Sequence, residues 1–419
     1  MLYRGMKIDL TSTGVQGWLD QFEGNDRSVG ELLLKSVLVV SADEFQGGLT
    51  ELVKNRIGEV KHPIALYAEY DIREWMGQPN RLFPEKGRKR RAHGSTTNMV
   101  VAQRAAAPQI GSEGIVGNLI TQLVRQPKLN VFSHPGADVF RKKKIRKFIL
   151  VTDFIGSGEQ SERFLHAAWR VASVKSWKSG KFVEFEVVCY SGTIKGIERL
   201  QAHPSAPKIF QVVACPTVSK MEHDDRFQIG SLLSKYGPKD SETEIPRLGY
   251  DETGALIAFS HGIPNNAPRL LFKSGKDWMP IFLGRVTRIQ ELKLIVNKQK
   301  LIADALSALH ENKLASQASK QSKSSTDFLV AIVIVALKRK PRNVEVVSAR
   351  TNLSISECES VIDRLGKAGF LDANLKPTAI AYEQLKYLRK PNEEIKNLTF
   401  PGKTSYVPTQ LRAPRERFR

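Results

Sequence analysis

Cysteine is scarce. The 419 residues include three, Cys189, Cys215 and Cys358, too few and too scattered for a disulfide framework or a zinc cluster. A reducing, cytoplasmic setting is expected for such a chain. Long apolar runs are lacking too. The longest, residues 328–337, is about half of the ~20 residues that a membrane-spanning helix needs, so no membrane partner is expected. The opening MLYRGMKIDL lacks the apolar core of a secretory signal. No repeat of solenoid or propeller period occurs. Acidic residues fall well short of basic ones: 43 Asp+Glu against 64 Lys+Arg leaves +21 at neutral pH. That excess calls for a polyanionic or phosphorylated partner. What remains is ordinary for a folded chain, 41% hydrophobic and 26% charged, which excludes a largely disordered one.

The length favours more than one domain. Residues 315–325, ASQASKQSKSS, are small and polar with no apolar period and read as a linker. They divide an α/β domain (residues 1–314) from a compact module (326–390), after which residues 391–419 form a basic tail. Helical spacing over residues 290–314 predicts one long helix before the linker. In the first domain, apolar runs of strand length stand at residues 36–40, 64–68, 148–151, 182–189 and 211–214. Helices are expected over residues 115–124 and 161–174. Continuous apolar strands alternating with helices predict an α/β fold, a mainly parallel sheet flanked by helices. Two basic clusters, residues 86–91 and 141–147, fall outside these elements and read as solvated loops or as anion-binding patches.

The most informative stretch is FILVTDFIGSGEQS, residues 148–161. A buried strand delivers Thr152 and Asp153 at its C-terminal end, where open α/β sheets bind ligands. The chain then turns through Gly156, Ser157 and Gly158 and enters a helix over Glu159, Gln160 and Ser161. Glycines let backbone amides approach an anion, and a helix N-terminus adds the positive end of its dipole. Ser157 can donate its hydroxyl to a phosphate, and Asp153 can accept from sugar hydroxyls.

These residues resemble the signature of type I phosphoribosyltransferases: an apolar strand, two acidic residues, two apolar residues and a short threonine-glycine loop. The resemblance implies that Asp153 orients the ribose of phosphoribosyl pyrophosphate (PRPP) while Ser157 and Gly158 cradle its 5-phosphate. Mg2+, if used, would arrive bound to a PRPP or nucleotide ligand, with no metal held by protein side chains. Departures stand out. Thr152 replaces the first acidic residue, Gly156 stands where several purine enzymes carry a catalytic aspartate, and Glu159 is an acid at a phosphate site. Upstream, IGSEGIVG at residues 110–117 is similar to the pyrophosphate loop of this fold, with Ser112, Glu113 and Gly114 facing the cleft. Downstream, His261 and the Asn265–Asn266 pair follow an apolar strand. His261 is either an acid/base or a structural histidine, and the two asparagines are either ligand contacts or a turn. The combination, with Trp18, Asp71, Arg73 and Trp278, looks like the divergent phosphoribosyltransferase-like branch of bacterial conflict and anti-phage systems, some retron effectors included.

Ser354 and Glu357 form the signature of a capping box, and the following DRLGKAGFL resembles a winged helix-turn-helix. Its third helix would present Ser356, Ser360 and Arg364 to nucleic acid, flanked by Lys338, Arg339, Lys340 and Arg342. The same helix carries Glu357, Glu359 and Asp363, so protein contact is the alternative. The acidic loop at residues 222–225 is expected on the surface. The expected partners are PRPP or a nucleotide and a nucleic acid, DNA or an RNA–DNA product with its reverse transcriptase. Catalytic activity at the ribose C1 and the oligomeric state stay open; the competing reading is a ligand-sensing transcriptional regulator.

Overall fold

The computed structural model describes residues 8–59, 61–96, 112–287, 298–320 and 325–390. At its centre lies a five-stranded parallel sheet of order β10-β9-β8-β2-β7. Its strands are β2 (Ile64–Ala68), β7 (Val131–Ser133), β8 (Lys147–Ile155), β9 (Glu184–Gly192) and β10 (Lys208–Ala214). In chain order this is a 2-1-3-4-5 sheet, and the order reverses between β2 and β8. A crevice opens at such a reversal, outside the C-terminal ends of the strands.

Continuous apolar strands make sense because both faces are covered. Side chains alternate along β8: Ile149 and Val151 join one cluster with Phe45, Leu49 and Val53 of α3 (Ala42–Gly58) and Val116 and Ile120 of α4 (Ser112–Val124). Phe148 and Leu150 join the opposite cluster with Tyr67, Phe140 of α5 (Ala137–Lys142) and Phe164 and Leu165 of α6 (Glu159–Trp169). A third cluster brings together α1 (Thr13–Leu19), α2 (Asp26–Ser36), α9 (His223–Lys235) and the segment reaching Trp278. Here Trp18, Phe22 and Trp278 pack edge to face, with centroids 4.8 to 5.9 Å apart. A separate parallel pair, β1 (Leu38–Val40) with β11 (Ile257–Phe259), carries this unit towards the sheet's C-terminal edge. The run at residues 36–40 therefore forms a strand, but outside the main sheet.

The helix expected over residues 161–174 is two, α6 and α7 (Ala172–Ser179). The acidic segment at 222–225 opens α9, where Asp224 and Asp225 suit the dipole. Neither basic cluster is a bare loop. Residues 86–91 span a small hairpin of β5 (Glu85–Lys86) and β6 (Arg91–Ala92), tied by Arg90 to Glu85 at 2.8 Å. Lys147 is buried and pairs with the fully buried Glu186 at 2.8 Å, which Arg56 also holds at 2.9 Å.

Residues 315–319, within the expected linker, are helical: α10 (Lys298–Ala308) turns at His310 into α11 (Asn312–Ser319). The turn also splits the long helix expected over 290–314, whose residues 290–297 lie outside the described ones. Leu306, Leu314, Ala315 and Ala318 pack into the core of the C-terminal module with Phe328, Ile332 and Leu388. That burial gives an otherwise weak polar sequence its reason to be helical. The module continues as α12 (Ser325–Ala336), α13 (Val344–Thr351), α14 (Ile355–Lys367) and α15 (Ala379–Arg389). The capping box forms, with Ser354 accepting from the Glu357 amide and Glu357 accepting from the Ser354 amide at 3.0 Å. The wing is reduced to one bridge, Leu371 with Pro377. Ala214 of β10 donates its amide to Ser348 of α13 at 3.0 Å, joining module to sheet. The tail, 391–419, lies outside the described residues.

Candidate functional site

The chain reversal between β2 and β8 opens into a cavity of about 700 Å3. Asp153 comes from the end of β8, and Gly156, Ser157 and Gly158 form the turn into α6. The turn's shape has a cause. Gly158 is left-handed, φ 79°, and its α-carbon faces the backbone of Gly196, leaving no room for a side chain. Thr193 braces the turn by donating its hydroxyl to the Gly156 carbonyl at 2.6 Å. Ser157, itself buried, accepts from the Glu159 amide at 3.4 Å.

Of the residues singled out in the sequence, Ser112, Asp153, Gly156, Ser157, Gly158, Glu159, Gln160, Ser161, His261, Asn265 and Asn266 all line this one cavity. Glu113 and Gly114 stand beside Ser112 in the first turn of α4; residues 110 and 111 of that motif lie outside the described ones. Thr152 does not line the cavity. It is buried beneath it, its hydroxyl 2.6 Å from Oε2 of Glu69 and 3.3 Å from Oδ1 of Asp153.

His261 contacts Asp153 directly, Nε2 to Oδ2 at 3.1 Å, across 108 positions of chain. Its ring stacks on Phe259 and meets Phe45 edge-on, and its Nδ1 is buried without a hydrogen-bond partner. Asn266 is a bracket of the cleft wall. Its Nδ2 donates to the Tyr250 carbonyl and to Thr253, each at 3.1 Å. Asn265 contributes through its backbone, whose carbonyl accepts from the Tyr250 amide at 2.7 Å.

Glu159 is held away from the role of a bare repelling charge. Arg163 donates to its Oε1 at 3.0 Å and the Tyr250 hydroxyl to its Oε2 at 2.5 Å. Arg163 also pairs with Asp71 at 3.2 Å and Glu74 at 2.9 Å, gathering three acids at the cleft mouth. Arg285, on the opposite wall, donates Nε to the Ile263 carbonyl at 2.8 Å. Glu69, one residue past β2, lies at the floor. Burial raises its pKa to about 7, against the opposing effect of the Ser161 and Thr152 hydroxyls.

Glu69, Arg163, Tyr250 and Arg285 were not legible as site residues. Glu69 follows an apolar strand as Asp153 does, a signal that strand order alone turns into proximity. Among the described residues no group of three His, Cys, Asp or Glu side chains is arranged to hold a metal.

The winged-helix residues are differently disposed. Arg342 donates to the Leu337 and Lys338 carbonyls at 2.7 and 3.1 Å, capping the end of α12. Lys338 pairs with Glu311 and Arg339 with Glu222. Lys340 is exposed, as are Ser356, Ser360 and Arg364 on α14, interleaved with Glu359 and Asp363.

Sheet order, turn and cleft together define a phosphoribosyltransferase-like domain, joined to a C-terminal winged helix-turn-helix. The sequence model of the PRTase-CE family matches residues 15–283, and one described as wHTH-PRTase associated matches residues 331–413. The chain belongs to the PRTase-CE family. No curated protein and no solved structure matches it.

Proposed function

We propose that the cleft binds PRPP or a nucleotide and that any chemistry falls at the ribose C1. One observation carries this: Asp153 and the Ser157–Gly158 turn open into a single cavity at the reversal of strand order, at the N-terminus of α6. The turn's amides and the Ser157 hydroxyl would take the phosphate. Asp153, fixed by His261, would take sugar hydroxyls, and Arg285 offers a cation on the facing wall. Mg2+ would enter with the ligand's pyrophosphate, neutralising it in a cleft rich in carboxylates. The wider role we infer is that of an anti-phage effector of retron type, working in the cytoplasm beside a nucleic acid and its reverse transcriptase. The excess of positive charge supports a nucleic-acid partner docked outside the acidic cleft.

Isothermal titration with PRPP and nucleotides tests the site. Binding that Asp153→Ala and Ser157→Ala abolish is expected; no binding by the unaltered protein, or unchanged binding by both variants, overturns the reading.

The second reading, a ligand-sensing regulator, draws support from the Ala214–Ser348 hydrogen bond, which ties the sheet to the winged helix. Nucleotide profiling of expressing cells separates the two. Loss of a nucleotide pool that depends on Asp153 favours the enzyme; an unchanged pool with a specific operator footprint favours the regulator.

A further inference from the structure

Glu69 is an expensive residue to keep where it is. It is 6% exposed, and one of its oxygens, Oε1, is buried with no hydrogen-bond partner. An unsatisfied buried carboxyl oxygen costs stability, so its retention needs an account. Its position supplies one. Glu69 donates its amide to the Val151 carbonyl at 2.9 Å, so it sits beside Thr152 at the ends of the two strands that flank the crevice. Its side chain lines the ligand-sized cavity, as does that of Asp153. The Thr152 hydroxyl lies between them, 2.6 Å from the Glu69 carboxyl and 3.3 Å from that of Asp153.

Two carboxyls held on either side of one hydroxyl, at the floor of a cavity, match two neighbouring hydroxyls of a sugar ring. We propose that Glu69 is a ligand-binding carboxyl that, with Asp153, clasps the vicinal diol of a ribose phosphate, one oxygen pair from each strand. The clasp rests on the ribose-phosphate reading of the cleft and adds a requirement to it: both ring hydroxyls must be present. It also accounts for Thr152. A second acid there would stand against the Glu69 carboxyl in a buried site, whereas a hydroxyl can donate to it.

The test measures binding of ribose 5-phosphate, 2-deoxyribose 5-phosphate and 3-deoxyribose 5-phosphate to the full chain by calorimetry. The unaltered protein is expected to prefer the diol over each deoxy sugar by roughly tenfold to a hundredfold, the worth of a hydrogen bond to a charged group. Glu69→Gln should erase the preference against one deoxy sugar, and Asp153→Asn against the other. Equal affinity of the unaltered protein for the three sugars overturns the clasp whether or not any variant folds. So does a Glu69→Gln protein that keeps both preferences. In those outcomes the ribose-phosphate reading survives if Asp153→Ala and Ser157→Ala still abolish binding. If the unaltered protein binds none of the sugars, nor PRPP or nucleotides, both fall together.

Discussion

A methyl group on Gly156 would stand 2.0 Å from Oδ1 of Asn266, closer than any packed side chain tolerates. The absence of an aspartate at position 156 is thus set by the wall opposite, where Asn266 is locked by the Tyr250 carbonyl and Thr253. Gly156→Ala should destabilise the protein by about 1–3 kcal/mol, as overpacking does. Asn266→Gly should relieve the clash, so the double variant should recover part of the loss; thermal unfolding of the two singles and the double checks this.

Glu69 makes stability depend on pH. An unfolded glutamate ionises near 4.5, whereas the folded one holds its proton to about 7. Between those values the folded state binds more protons, so stability falls as pH rises through the window. The full difference is on the order of 3 kcal/mol. Glu69→Gln should remove this component, leaving a variant that gains on the unaltered protein as pH goes from 5 to 8. Chemical denaturation across that range, with no ligand present, reads it directly.

Glu186 lies wholly inside the sheet between Arg56 and Lys147. Glu186→Gln leaves the buried Lys147 without its counter-charge and Arg56 with Glu59 alone, and should cost roughly 3–5 kcal/mol. The three residues lie at the end of the sheet away from the cleft, so ligand affinity of the folded fraction should not change. Urea unfolding together with titration of PRPP separates the two effects.

The basic residues of the winged helix should split into two groups. Arg342 serves the end of α12, so Arg342→Ala should lower stability by about 0.5–1.5 kcal/mol and leave nucleic-acid affinity intact. Lys340 and Arg364 are exposed, and replacing either by alanine should reduce the salt slope of nucleic-acid binding by about one. Binding measured at several salt concentrations distinguishes them.

Much of the sheet could be read in the sequence because its strands are continuous apolar runs; residues 64–68 coincide with β2. The turn at Gly156–Gly158 was legible for a local reason, since strand, glycines and helix are contiguous. Contacts between distant segments were not. His261 reaches Asp153 from just beyond β11, which pairs with β1 and not with the main sheet, and no local pattern records that pairing. Glu69 is hidden for the same reason: its neighbour is fixed by strand order. Helix α15 did leave a signal, the helical spacing of the buried Ala381, Leu385 and Leu388, which follows the short hairpin bridged at Leu371 and Pro377.

Among the described residues, β10 is the last strand on its side of the sheet. A bare edge there would offer unpaired amides and carbonyls to any strand from another molecule. Helices α13 and α14 lie against it, and Ser348 accepts from the Ala214 amide while donating its hydroxyl to the Leu353 carbonyl at 2.6 Å. The C-terminal module thus covers this edge of the sheet. A chain shortened to its first 320 residues would lose that cover and also bare the apolar faces of α10 and α11, and is expected to self-associate.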